Sequence, residues 1–404
     1  MTEDDWLSLS FEISRSFTGT PIRESDLFAG RAVEISRMLK ATMNIGRHVV
    51  LYGDRGVGKT SLSNIFWKRF NAGLQSFVVG KVQARPDDDF DSLWRRGLEE
   101  LSGSLKLKGA ATELGLSVDD SRVTPSQVRR ELEQINPNLL PIVIIDEYNE
   151  IEDAQSRRLM ANLIKELYDF SVPVTLILVG VAENIGTLLE DHKSVDRALT
   201  QIPLLRMSEE ELSEIMENGV SGTPLAFADS AQHTIVNLSR GLPFFTQTLS
   251  RYAAEEAIAA RQLVVTTRHV EAALGEFIED SGESFKEAYR EATRSNQANY
   301  FKESLLACAL APTDENGFFT MNDVVKPFSG IMRNQKRIAH FDKHLRRFSS
   351  PEGGSVLTAR GGDRQRIFRF SDPMMQPYVI IRGIQNRTID DGAKAALFPG
   401  SGDR

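Results

Sequence analysis

The stretch Gly53-Asp54-Arg55-Gly56-Val57-Gly58-Lys59-Thr60, preceded by the apolar run His48 to Tyr52 and followed by a helical pattern, constrains this chain more than any other. Three glycines in so short a loop let the backbone curl until its N–H groups converge, and the first turn of the next helix adds the positive end of its dipole. Such a loop is built to hold phosphate oxygens. The G-x-x-x-x-G-K-T spacing is that of a P-loop, so Lys59 is expected to reach the β- and γ-phosphates of a nucleotide and Thr60 to hold Mg²⁺. Gly53, Asp54, Arg55, Gly56, Val57, Gly58, Lys59, Thr60 and Ser61 form the predicted cradle.

The residues after it keep a strand-helix rhythm. Leu62, Ile65, Phe66 and Phe70 recur at helical spacing, with Asn71-Ala72-Gly73 as the stop signal. Phe77 to Val82 reads as a second strand, and Pro86-Asp87-Asp88-Asp89 as the acidic start of another helix. Alternation of this kind predicts a parallel sheet covered by helices on both faces. Thr124-Pro125-Ser126-Gln127 is a capping box that opens a helix, and Pro141 to Ile145 is a β-branched run ending in Asp146-Glu147. Two carboxylates at the C-terminal edge of a buried parallel strand suit a metal site beside the P-loop. Asp146 is expected to bind Mg²⁺ through water as the partner of Thr60, and Glu147 to polarise the water that attacks the γ-phosphate. A third buried strand, Val174 to Gly180, is followed by Val181-Ala182-Glu183-Asn184.

With these motifs the chain resembles the AAA+ and STAND branches of the P-loop ATPases, over about residues 21 to 382. The resemblance implies ATP and Mg²⁺ as cofactors and a polar residue after the third strand that senses the γ-phosphate. Asn184 is the candidate and Glu183 the alternative. It also implies an arginine just before the fifth strand, Gln201 to Met207, that reaches into a neighbouring subunit's site. Arg197 fits that position, its other reading being an exposed arginine paired with Asp196 or Asp191. Ser208-Glu209-Glu210-Glu211 then caps a helix and opens a helical lid. Within the lid, Gly241-Leu242-Pro243 is similar to the STAND Gly-x-Pro, whose proline packs near the adenine; its plain reading is an inter-helix turn. Arg240 and Arg251 match the sensor arginine of other members poorly, which implies slow turnover. Asp26 to Arg31 resembles the N-terminal motif that lies against the base.

The C-terminal part differs in charge. Residues 299–382 hold 13 Lys and Arg against eight Asp and Glu, in a chain whose net charge is −8. Helical patterns at Tyr300 to Leu310, from Met321 and from Asn334 to Phe348 alternate with short strands at Phe318 to Thr320, Ser355 to Ala359 and Arg366 to Phe370. They predict a winged helix, with Gln335 to Arg347 as recognition helix and Arg360 to Arg366, around the Gly361-Gly362 hairpin turn, as wing tip. Double-stranded DNA is one partner this predicts; packing on the lid is the other role. The tail from Ile384, with Pro399-Gly400-Ser401-Gly402, reads as disordered.

The expected fold is therefore α/β: an arm (1–25), a parallel-sheet P-loop ATPase core (26–207), a helical lid (208–285), a linker (286–298), a C-terminal winged helix (299–384) and a flexible tail (385–404). The single cysteine, Cys308, excludes an internal disulfide and sits in an apolar run as a buried thiol. Val174 to Ala182, the longest strongly apolar stretch, is too short to span a bilayer, and Met1 to Asp5 is acidic where a secretion signal is basic. No membrane partner is expected, and the cytoplasm is the expected compartment. The function these features predict is an ATP-binding and ATP-hydrolysing switch acting through a homo-oligomer, a partner protein or DNA. Its alternatives are a DNA-binding initiator or loader and a non-catalytic nucleotide-bound scaffold.

Overall fold

The structure is a computed structural model and describes residues 1–404 except 23, 69–75, 110–113, 117–121, 183–185, 187, 190–194, 296–298, 315, 363–364 and 399–404. Its first half runs α1 (Glu3–Ser16), α2 (Ala32–Thr42), β1 (His48–Gly53), α3 (Lys59–Ile65), β2 (Ser76–Gln83), α4 (Phe90–Leu107), α5 (Pro125–Glu133), β3 (Leu139–Asp146), α6 (Ala154–Asp169), β4 (Thr175–Val181) and β5 (Leu199–Leu204). The five strands form one parallel sheet in the order β2-β3-β4-β1-β5. Strand alternation sends Val49, Leu51, Ile144 and Ile177 to one face and Val50, Val143, Ile145 and Leu178 to the other, where Trp94 of α4 and Leu163 of α6 cover them. Burial on both faces is why these strands read as continuous apolar runs. In register, Gly53 stands beside Val181 and Leu204, and Asp146 beside Gln83, so the P-loop and the acidic pair share the C-terminal edge.

The lid comprises α7 (Glu209–Val220), β6 (Ala226–Phe227), α8 (Asp229–Ser239), α9 (Pro243–Ala259), β7 (Val264–Val265) and α10 (Thr267–Asp280). The remainder is α11 (Glu283–Thr293), α12 (Phe301–Leu310), β8 (Phe319–Thr320), α13 (Met321–Ile331), α14 (Asp342–Phe348), β9 (Leu357–Arg360), β10 (Ile367–Phe370), α15 (Met375–Gln385) and α16 (Asp391–Leu397). An antiparallel sheet in the order β8-β10-β9 accompanies α12, α13 and α14. Among the described residues no helix is long and apolar enough to cross a membrane.

Several expectations are corrected. The helix expected from Pro86 begins at Phe90, because Asp89 accepts from the Ser92 amide while Ser92 Oγ accepts in return from Asp89 N. The fifth strand starts two residues early, at Leu199, where it pairs with His48. The long basic helix over 335–347 does not form. A 3-10 turn at Ile338–His340 and the short α14 replace it, since Arg337 N donates to His340 Nδ1 and Phe341 adopts φ −138. The expected linker is mostly α11, whose Tyr289 and Ala292 are buried. The expected disorder from Ile384 is also overturned through residue 398, with the rest of that tail outside the described residues. Asp390 caps α16, and Ile389, Leu397 and Phe398 bury themselves in the main core. The tail's composition concealed this because its few apolar side chains all find that core.

The N-terminal arm is helical and docked. Phe17 is fully buried, with its ring edge-on to Phe227 at 6.0 Å, and a Cβ at Gly219 of α7 would lie 2.2 Å from it. Phe17→Ala should therefore cost about 3 kcal/mol by removing a closely packed ring, whereas Leu7→Ala, at an exposed position, should stay within about 0.5 kcal/mol. Urea denaturation of the two variants checks this, and equal midpoints would contradict the docking of α1.

Candidate functional site

The loop after β1 is shaped by what its glycines leave out. Gly53 has φ 152, and a Cβ there would lie 2.3 Å from the Leu204 carbonyl oxygen. Gly58 caps α3 with φ 93, a left-handed conformation that side chains resist. Lys59, 8% exposed, begins α3 and donates from Nζ to the carbonyls of Gly53 (3.1 Å) and Asp54 (2.7 Å). Burial lowers its pKa to about 8 against the pull of Glu147, Asp54 and Asp146.

Asp146, 4% exposed, gathers three donors at the end of β3. Thr60 Oγ1 (3.3 Å) and the Glu147 amide (3.0 Å) reach Oδ1, and Lys81 Nζ (2.9 Å) reaches Oδ2. Lys81 was not anticipated, although a lysine inside the apolar run of β2 was a visible signal that something acidic faces it. Glu147 has φ 56, a conformation that costs a non-glycine residue about 1 kcal/mol, and it lines the cavity beside Lys59 and Thr60.

That cavity, of about 520 Å³, is lined by two kinds of residue. Gly56, Lys59, Thr60, Asp146 and Glu147 offer polar groups; Phe28, Ala29, Ile215, Pro243 and Phe244 offer apolar surface. A nucleotide has the same division, charged phosphates joined to a flat base, and the residues present fit it. Thr60 and Asp146 also supply the oxygen donors that Mg²⁺ prefers.

The other expected residues fall as follows. Pro243 is the first residue of α9 and packs over the P-loop, its Cγ 3.7 Å from where a Cβ would stand at Gly58. Ser61 Oγ accepts from Ile22 N (3.1 Å), tying the segment after α1 to the site. Val57 is buried; its carbonyl and that of Leu205 accept from Arg31 Nη2 at 3.3 and 2.6 Å, while Glu211 of α7 accepts from Arg31 N. Arg240 spends its guanidinium on the Ala309 and Ala311 carbonyls. Asn184 and Glu183 lie outside the described residues. Asn149, which sequence reasoning passed over, lines the same wall and accepts from Val181 N at 2.7 Å. Arg197 does not join its own chain's site: it is exposed just before β5, at the opposite edge of the sheet from Gly53.

The C-terminal unit that holds β10 touches the P-loop, a contact without a local sequence signal. Asp54 pairs with Arg369 of β10 at 3.5 Å, Arg55 with Asp372 at 3.6 Å, and the Met374 side chain lies 3.3 Å from the Cβ position at Gly56. Arg206, buried beneath them, donates to Gln376 Oε1 at 2.8 Å.

Residues 45–189 match a protein-family model described as an AAA domain. No curated protein matches the sequence. Among solved structures, the Aeropyrum pernix ORC2 protein in ADPNP-ADP complexes is 14% identical, with a TM-score of 0.50 over 93% of this chain and 98% of that one. Cdc6p from Pyrobaculum aerophilum is 12% identical, with a TM-score of 0.48 over 93% and 98%. RuvB of Thermotoga maritima, a Holliday junction branch migration motor, is 15% identical, with a TM-score of 0.43 over 87% and 95%. At these identities the likeness is one of fold. The AAA match over residues 45–189, the glycine loop and acidic pair on one sheet edge, and the β2-β3-β4-β1-β5 order give the nucleotide-binding core of this chain the AAA+ P-loop fold.

Proposed function

We propose that this protein is an ATP-driven switch in which the occupancy of the P-loop decides whether the winged helix stays docked on it. One observation carries the reading: Asp54 and Arg55, the two residues between the first glycines of the loop, are the ones paired with Arg369 and Asp372. Lys59 now donates to the carbonyls of Gly53 and Asp54, so its transfer to phosphate oxygens would disturb the same residues that hold the winged helix.

The geometry of the site supports one division of roles. Lys59 and the loop amides bind phosphates, Thr60 and Asp146 hold Mg²⁺, and Glu147 orients the attacking water. ATP with Mg²⁺ supplies a labile phosphoryl group with its charge partly neutralised. Arg197, being remote from its own site, serves as a finger for a second copy of the chain. Duplex DNA is a second reading, favoured by the basic surplus after residue 299. Arg347 does not contribute to it, since it donates to the Ala292, Glu291 and Arg294 carbonyls, and Arg369 faces Asp54 until the unit is released.

Lys59→Ala should weaken ATP binding at least ~10-fold with the fold intact. Glu147→Gln should bind ATP normally and hydrolyse it about 100-fold more slowly. Calorimetric titration and phosphate release check both, and hydrolysis undiminished in Glu147→Gln would leave a scaffold or an unassigned base.

The docking itself is tested by fluorescence transfer between labels on α6 and α13. A slowly hydrolysed ATP analogue should change the distance, and Asp54→Arg should produce the released distance without nucleotide. A distance that ignores nucleotide in the wild type removes the switch. For Arg197, mixing Arg197→Ala with Lys59→Ala protein should restore part of the ATPase activity at mixed interfaces; a co-assembled mixture as inactive as its parents rules the finger out.

A further inference from the structure

Gln247 stands one turn beyond Pro243 on α9, and residues four apart share a helix face. Pro243 packs over Gly58 of the P-loop, and Gln247, further along the same helix face, also lines the cavity. It is 5% exposed, its Oε1 is buried without a hydrogen-bond partner, and its side chain makes no hydrogen bond among the described residues. Thr246 Oγ1 and Ser250 Oγ beside it are also buried and unpartnered. Natural proteins seldom leave such groups unpaired, because each has given up water for nothing in return. In the wall of a ligand cavity, an unpaired amide marks where a polar edge of the ligand belongs.

The chemistry of the amide narrows that edge. It offers one donor and one acceptor side by side, and adenine offers the complement in its N6 amino group and N7. Guanine presents two acceptors, O6 and N7, on the same edge, and neither orientation of the amide satisfies both. Phe28 and Ile215, which line the same cavity, supply the apolar surface a flat purine needs. We propose that Gln247 is the base-selecting residue of the nucleotide site, holding adenine by its N6 and N7 atoms. This rests on the reading of the cavity as an ATP site. It adds to that reading a residue on the lid that makes lid closure depend on the base.

The test is equilibrium binding of ATP, GTP and 7-deaza-ATP to the full chain by titration calorimetry, with no turnover required. Wild type should bind ATP about 10-fold or more tighter than either of the others, the discrimination expected of one bidentate pair. Gln247→Leu, and Gln247→Met as a second replacement of similar length, should bring ATP to the level of GTP and leave GTP affinity unchanged, which also shows that the variants fold. Equal wild-type affinities for the three nucleotides, a retained ATP preference in both variants, or loss of all three ligands from both variants would overturn the assignment while leaving the P-loop reading in place. A wild type that binds none of them overturns both.

Discussion

The site depends on one steric fact, the contact of Gly53 with the carbonyl of Leu204. β1 is flanked by β4 and β5, and where it ends the neighbouring backbone stands so close that a Cβ would lie 2.3 Å from an oxygen. A side chain there would push β5 away or turn the loop outward, and α3 could not start where it does. With glycine in place, the chain folds back over the sheet edge and Lys59 enters a buried position beside two carboxylates. The same edge receives Asp146, because β3 and β1 run parallel and Ile145 of β3 is level, through Leu178 of β4, with Val50 of β1. A P-loop and an acidic pair far apart in sequence are thus neighbours by sheet register.

The buried charges Asp146 and Arg31 beside the site both have partners. Asp146 is nearly buried and meets Thr60, Lys81 and the Glu147 amide; Arg31 is buried and meets two carbonyls. Buried charges without partners carry penalties of several kcal/mol, so each pair fixes a geometry as well as a charge. Lys59 is the group whose arrangement is least settled, held by carbonyls and pushed toward its neutral form by burial. A ligand with negative oxygens relieves that. The exposed Arg55–Asp372 pair lies in water and contributes little by itself. The half-buried Asp54–Arg369 pair and the Met374 contact hold the C-terminal unit against the P-loop, while its α15 and α16 share the main core with α8 and α10.

Motifs that act over a few residues were legible. The capping boxes at Thr124 and Ser208 form as read, Pro243 begins α9, and the strands at His48, Phe77, Pro141 and Thr175 lie where their apolar runs lie. Errors came where local signals compete with packing. Pro86 looked like a helix start, yet the Asp89–Ser92 box begins α4 later. The basic run before Phe348 had helical composition, but the ring nitrogen of His340 takes a backbone amide and the helix breaks there. The tail from Ile384 was polar enough to suggest disorder, and Phe398 still reaches the core.

By itself the sequence determined the nucleotide loop, the strand-helix alternation and the acidic pair, because each is written in residues close enough to act through backbone geometry and period. Tertiary structure decided which distant groups meet: Lys81 with Asp146, Arg31 with Leu205, Arg369 with Asp54, and Gln247 with the P-loop residues around one cavity. Those pairings depend on strand register, on the angle of the lid and on the docking of a unit more than 300 residues downstream of the loop it touches. No local pattern encodes them, since the free energy that selects them comes from burying whole faces at once.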